Sequence, residues 1–169
     1  DWRRGTKSDD ADSPAGQQAL VDLVSGLCDI KGLDWLRLMY MYPSGLSRQF
    51  LSFLASLGAP FVPYFDVPLQ HAHPEVLKSM GRPFSNDPRQ VVERIREYFP
   101  GAALRTTFIV GYPGENDIHF KALEEFVQDV GFDHLGVFAY CPEDGTPAAS
   151  FPGQVPDEVK LERQARIME

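Results

Sequence analysis

Cysteine is almost missing from this chain of 169 residues, which has only Cys28 and Cys141. Two thiols are too few for a disulfide framework, and their spacing fits no metal motif. The expectation is two reduced cysteines in a cytoplasmic protein. No apolar run approaches the roughly 20 residues needed to cross a bilayer. The opening, "DWRRGTKSDDADSPAG", lacks the apolar core of a signal peptide. Positive charge is also in deficit: the formal net charge is −8, so there is no overall basic footprint for nucleic acid. There is no internal repeat and no low-complexity segment. The first residue is Asp1 rather than Met, and a polar loop precedes any element. The sequence therefore reads as a piece of a longer protein.

What is present is the material of a core. Apolar residues make up 43% of the chain and aromatics 12%, enough for one folded domain. Residues 1–15 read as a loop. From about Gly16 to Ile30, Leu20, Leu23, Val24 and Leu27 recur at helical spacing. "LRLMYMY" (36–42) predicts a strand stopped by Pro43. Ser47 caps a helix that ends at Gly58. "FVPYFDVPL" (61–69) predicts a second strand, distorted by its prolines. Asp87-Pro88 opens a helix, and "LRTTFIVG" (104–111) predicts the third strand. Asn116 caps a helix ended by Gly131, "LGVFAY" (135–140) predicts the fourth strand, and a polar helix runs from about Asp157. Strand and helix alternate, which means a parallel, helix-covered sheet. Ligands in such sheets sit at the carboxyl ends of the strands. Here those ends are Tyr42-Pro43, Gln70-His71, Gly111–Glu115 and Tyr140–Pro142.

Each end was weighed on its own chemistry. In "VGYPGE", two glycines and a proline shape a bend. Its backbone can read a flat heterocycle, or the segment is a plain strand-to-helix turn with Glu115 at the positive helix end. His71 and His73 stand two apart, as in the metal sites of barrel hydrolases. A hydrolytic zinc needs about three protein ligands, and His119 and His134 look misplaced for that role. The plainer reading makes His73 a cap for the helix begun by Pro74. Arg37 lies in an apolar strand and needs a partner, for which Asp66 is the candidate. Cys141 has no neighbouring base and reads as an inert thiol.

"WLRLMYMYP", "YFDVPLQHAHPEVLKSMGRP", "LRTTFIVGYPGE", "FDHLGVFAYCPEDGTPAA" and "VPDEVKLERQARIME" together resemble the radical S-adenosylmethionine methylthiotransferases. "PLQHA" is closer to the ribosomal-protein branch (RimO type) than to the transfer-RNA branch (MiaB type). The resemblance implies a radical S-adenosylmethionine core over residues 1–155, with 156–169 as a helix leading out. The core would be the last four or so strands of a six-stranded partial barrel. It implies two cofactors, S-adenosylmethionine and a [4Fe–4S] cluster, and a substrate, an aspartate of small-subunit ribosomal protein twelve. By motif, Arg37, Gln70, Val110, Gly111, Phe138 and Tyr140 would line the S-adenosylmethionine site. No catalytic side chain and no metal ligand is assigned. The family's C-x-x-x-C-x-x-C is absent, so the chain alone would be inactive. Self-association through an exposed sheet edge is expected, and nucleic-acid or membrane binding is not. The alternatives are a transfer-RNA methylthiotransferase, a zinc hydrolase built on His71 and His73, and a degenerate binding module.

Overall fold

The structure is a computed structural model that describes residues 14–82 and 87–169; the loop expected over 1–15 lies outside the described residues as far as 13, and its last two residues belong to a helix that starts at Pro14. Three strands, β1 (Tyr64–Asp66), β2 (Ala103–Val110) and β3 (His134–Ala139), pair in parallel in the order β1-β2-β3. Six α-helices surround them: α1 (Pro14–Cys28), α2 (Arg48–Leu57), α3 (Pro74–Ser79), α4 (Pro88–Tyr98), α5 (Asp117–Val130) and α6 (Asp157–Met168). The parallel βα sheet is the predicted one.

The helix boundaries follow local chemistry. Ser47 accepts the Phe50 N–H, Asp87 accepts the Arg89 N–H, and Asn116 accepts the His119 N–H. Each satisfies a backbone donor that has no partner inside its helix. Gly131 ends α5 in the left-handed conformation.

Strand β2 is the axis of the core. Its residues alternate, with Leu104, Thr106, Phe108 and Val110 buried beneath helices, and Arg105, Thr107 and Ile109 half-buried on the other face. The Phe108, Phe126 and Phe132 rings meet edge to face, with centroids 5.8–6.1 Å apart. By register, Asp66, Arg105 and His134 lie side by side on the second face. Phe138, beside Ile109, is 61% exposed there. That face is the one a partial barrel would turn inward, its concave face.

Two expectations about the strands need correction. The segment 36–42 forms no strand: it makes a parallel bridge from Leu36 to Phe61 and, farther on, a single bond from the Met41 N–H to the Asp66 carbonyl (2.8 Å). The reason lies in its neighbour: the Tyr64 N–H turns back onto the Val62 carbonyl across Pro63, using up the groups the next rung needs. Tyr40 then leaves extended geometry at φ 54°. The stretch 61–69 is likewise strand only over its middle. Between the Val67 N–H bond to Arg105 and the Gln70 N–H bond to Thr107, β1's chain carries one extra residue. Pro68, which has no N–H, falls inside that bulge. The buried Thr106 hydroxyl fills it, donating to the Val67 carbonyl (2.9 Å) and accepting the Leu69 N–H (3.3 Å).

Candidate functional site

The carboxyl ends of the strands meet around one buried carboxylate. Glu115 Oε1 accepts the Gly111 N–H at 2.9 Å and Arg163 Nη1 at 2.8 Å, and Oε2 lies 3.2 Å from His71 Nε2. The His71 Nδ1 accepts the His73 N–H at 2.9 Å, so Nε2 keeps the ring proton and donates it to Glu115. Burial opposes the charge on Glu115. Hydrogen bonds from His71 and Gly111 and the nearby Arg163 outweigh it, holding the carboxyl below its usual value. Glu115, a helix-end carboxylate by sequence, is the hub of three segments.

Helix α6 supplies the outer wall. Lys160 and Arg163, both buried, lie one turn apart on it. The Lys160 ammonium is 2.8 Å from Asp157 and 5.6 Å from the centre of the Tyr140 ring. Its stem lies over Gly111, where an added Cβ would stand 2.2 Å from Lys160 Cγ. Gly111 also sits at φ +71°. It is therefore glycine for two reasons, the left-handed backbone and the close approach of α6. Gly111→Ala is expected to cost roughly 2–4 kcal/mol from backbone strain plus overpacking. Urea unfolding measures this, and Lys160→Ala in the same chain should recover part of it. No recovery would show that Lys160 is not the obstacle.

The six residues expected at the cofactor do not all come together. Gln70, Val110, Gly111 and Tyr140 meet at the carboxyl ends of the strands, and Phe138 stands one step inside on the concave face. Arg37 is at the opposite, amino end, its guanidinium 4.4 Å from the centre of the Tyr64 ring. Asp66 pairs with Arg105 of the neighbouring strand (3.0 Å) rather than with Arg37. At the rim the Val110 carbonyl accepts the Tyr140 N–H (2.9 Å). With the Gly111 N–H held by Glu115, neither of these groups is bare. The Tyr140 hydroxyl is buried without a hydrogen-bond partner, and its ring is edge-on to Tyr112 at 5.2 Å.

The zinc alternative fails on the histidines. His71 is fully buried and pinned between Glu115 and the His73 backbone. His73 caps α3, and His119 stands beside it, with ring centroids 4.3 Å apart. His119 thus does lie near the strand ends, contrary to expectation, because it occupies the first turn of α5. His73, Glu75 and His119 are the one group among the described residues with metal-like spacing. Each of the two rings, however, accepts a backbone N–H at Nδ1 (3.3 Å), so Nε2 carries the proton. A metal needs a bare ring nitrogen. Burial, and after it His119, keep the His73 pKa below the usual value.

The model of the radical SAM superfamily matches residues 12–127, more than half of the chain. The chain belongs to the radical SAM superfamily. Its relatives include the ribosomal protein uS12 methylthiotransferase RimO of Nitratidesulfovibrio vulgaris (strain DP4), 56% identical over 161 residues, 95% of this chain and 37% of that one. The protein of the same description from Oleidesulfovibrio alaskensis is 56% identical over 153 residues, 90% and 36% of the two chains. The chain thus spans a little over a third of these relatives. Among solved structures, coproporphyrinogen III oxidase (HemN) from Escherichia coli, a radical SAM enzyme, superposes with TM-score 0.61. It is 18% identical, with 91% of this chain and 35% of that one covered. TsrM from Kitasatospora setae, a radical S-adenosylmethionine methyltransferase whose structure holds cobalamin and a [4Fe-4S] cluster, gives TM-score 0.59. It is 22% identical, and the superposition covers 79% of this chain and 26% of that one. At these identities the two structures speak for the fold.

Membership in the radical SAM superfamily implies S-adenosylmethionine and a [4Fe–4S] cluster. The cluster does not fit the residues here. Cys28 ends α1 and Cys141 follows β3, and two thiols cannot replace the three of the family motif. At the rim the Tyr140 hydroxyl is buried without a partner, and Phe138, two residues earlier on the same strand, keeps an exposed ring; a hydrogen-bond donor and an aromatic face are groups of the kind an adenosyl moiety uses.

Proposed function

We propose that this chain is the carboxyl-side part of the radical core of a uS12 methylthiotransferase. The whole protein would add a methylthio group to an aspartate of ribosomal protein uS12, working in the cytoplasm. The observation that carries this is 56% identity over 95% of the chain to proteins of that description, on a parallel sheet whose rim suits an adenosyl group. On this reading residues 1–155 are core and 156–169 the helix leading out of it.

S-adenosylmethionine, when bound, supplies the adenosyl and methyl groups. The chain's own part is to bind and orient it. Phe138 offers a bare ring face on the concave side, and the Tyr140 hydroxyl is a buried donor awaiting an acceptor. Gln70 offers an amide that both donates and accepts. With the Gly111 N–H committed to Glu115 and the Val110 carbonyl to Tyr140, the backbone at Val110 and Gly111 contributes flat peptide surface. Arg37, stacked on Tyr64, belongs to the floor of the concave face. Self-association along the side of residues 36–41 is part of the same proposal, since Met39 and Tyr40 expose much of their apolar surface there.

The test uses the full-length enzyme, reconstituted anaerobically with iron and sulfide. It is offered S-adenosylmethionine with either a peptide of the uS12 aspartate loop or transfer RNA. Mass spectrometry should find one methylthio group on the peptide aspartate. Methylthiolated transfer RNA with untouched peptide would move the protein to the other branch, and no product from either would remove the proposal.

A further inference from the structure

Buried ion pairs often stabilise a fold no better than apolar residues of the same volume. The Glu115 hub therefore calls for a reason beyond stability. Its three arms are His71 after β1, Gly111 at the end of β2, and Arg163 on α6, which arrives after the sheet is complete. The side chains of Glu115 and His71 are wholly buried, and that of Arg163 is 6% exposed. Arg163 also donates to the Glu115 carbonyl (3.3 Å) and reaches Asp117 at 2.7 Å.

The backbone held by this hub is strained. Gln70, immediately before His71, sits at φ +71°, and the His71 N–H folds back onto the Leu69 carbonyl at 2.9 Å. That is a γ-turn of the rare, strained hand. A non-glycine residue in such geometry costs on the order of 1–3 kcal/mol and persists only where its surroundings enforce it. Gly111, four residues before Glu115, is the second left-handed position at the rim. Both lie at the end where the proposed function puts the adenosyl group. A single carboxylate ties them together, and α6 holds that carboxylate.

We infer that His71 and Arg163 are positioning residues: through Glu115 they fix the spacing of the Gln70 and Gly111 strand ends, and so set the affinity for S-adenosylmethionine. Neither needs to touch the cofactor. The inference rests on the proposed rim as the cofactor site. It makes α6 part of that site, although the helix lies beyond the last strand in sequence.

The experiment uses reconstituted full-length enzyme, with the dissociation constant for S-adenosylmethionine from calorimetry and KM and kcat from turnover. Arg163→Met should weaken binding about tenfold, with kcat at saturating cofactor within about threefold. Arg163→Lys, which keeps the charge but loses the fork, should fall between it and wild type. Asp117→Asn removes only the exposed anchor of Arg163, and should weaken binding about twofold with an unchanged melting temperature. If Arg163→Met does not fold, Arg163→Lys and Asp117→Asn decide. Lowered melting temperatures with unchanged affinity would make the hub purely structural and overturn the inference. Unchanged affinity in every variant, beside a wild type that binds, would overturn it and leave the proposed function standing. A wild type that does not bind S-adenosylmethionine would remove both.

Discussion

Glu115→Ala is expected to cost about 3–5 kcal/mol, because it takes from Arg163 its one buried carboxylate partner and orphans the Gly111 N–H and the His71 ring N–H. For a chain of this size that is a fall of about 10 °C in melting temperature. The loss should depend on pH. Folded Glu115 titrates below its usual value of 4.5, so its contribution is complete at neutral pH. It fades as acid first protonates the unfolded chain near that value and then the folded carboxyl below it. The gap between wild type and variant, read from urea unfolding, should therefore narrow below about pH 4. A gap of the same size at pH 7 and in acid would show that the ionised carboxylate is not its source.

Phe108→Ala should cost a similar 3–5 kcal/mol, by emptying the centre of the aromatic cluster. Phe108 is fully buried on the middle strand and edge-on to Phe126 and Phe132. Loss of its ring leaves both partners facing a void that neighbouring elements cannot close, since β2 is held on both sides. Phe108→Leu retains much of the volume and should cost about half as much or less. Equal losses for Ala and Leu would mean that ring geometry outweighs volume, and a loss below about 1 kcal/mol for Ala would mean that the core refills.

Features set by neighbours in sequence were legible, and features set by contacts across the fold were not. Ser47, Asp87, Asn116 and Gly131 mark helix ends because their chemistry acts within three residues. The parallel sheet followed from the alternation of strand and helix patterns. Residues 36–42 misled because a dense apolar run shows hydrophobicity but not register, and the turn that denies them a ladder lies in Pro63 and Tyr64. The prolines of 61–69 did announce distortion, though not that a threonine hydroxyl would mend it. Gln70, Val110, Gly111 and Tyr140 fall at neighbouring strand ends, Gln70 bridged to Phe108 and the Tyr140 N–H bonded to the Val110 carbonyl. The hub stayed hidden because its members lie 44 and 48 residues from Glu115, and nothing local couples a histidine, a carboxylate and an arginine so far apart. Lys160 and Arg163 lie in the helix whose sequence is polar, and only packing shows that the sheet end buries them.

The side-chain amide of Gln164 on α6 donates to the Val137 carbonyl of β3 at 2.7 Å, and this bears on how the proposed self-association could extend. A sheet grows into a fibre only if each newcomer offers a fresh edge to the next. Here β3, the last strand of the order, has a helix laid against it and one of its outward carbonyls already taken. A second molecule joining at the side of Leu36 would bring the same closed flank to the outside. Growth by that route ends with the pair.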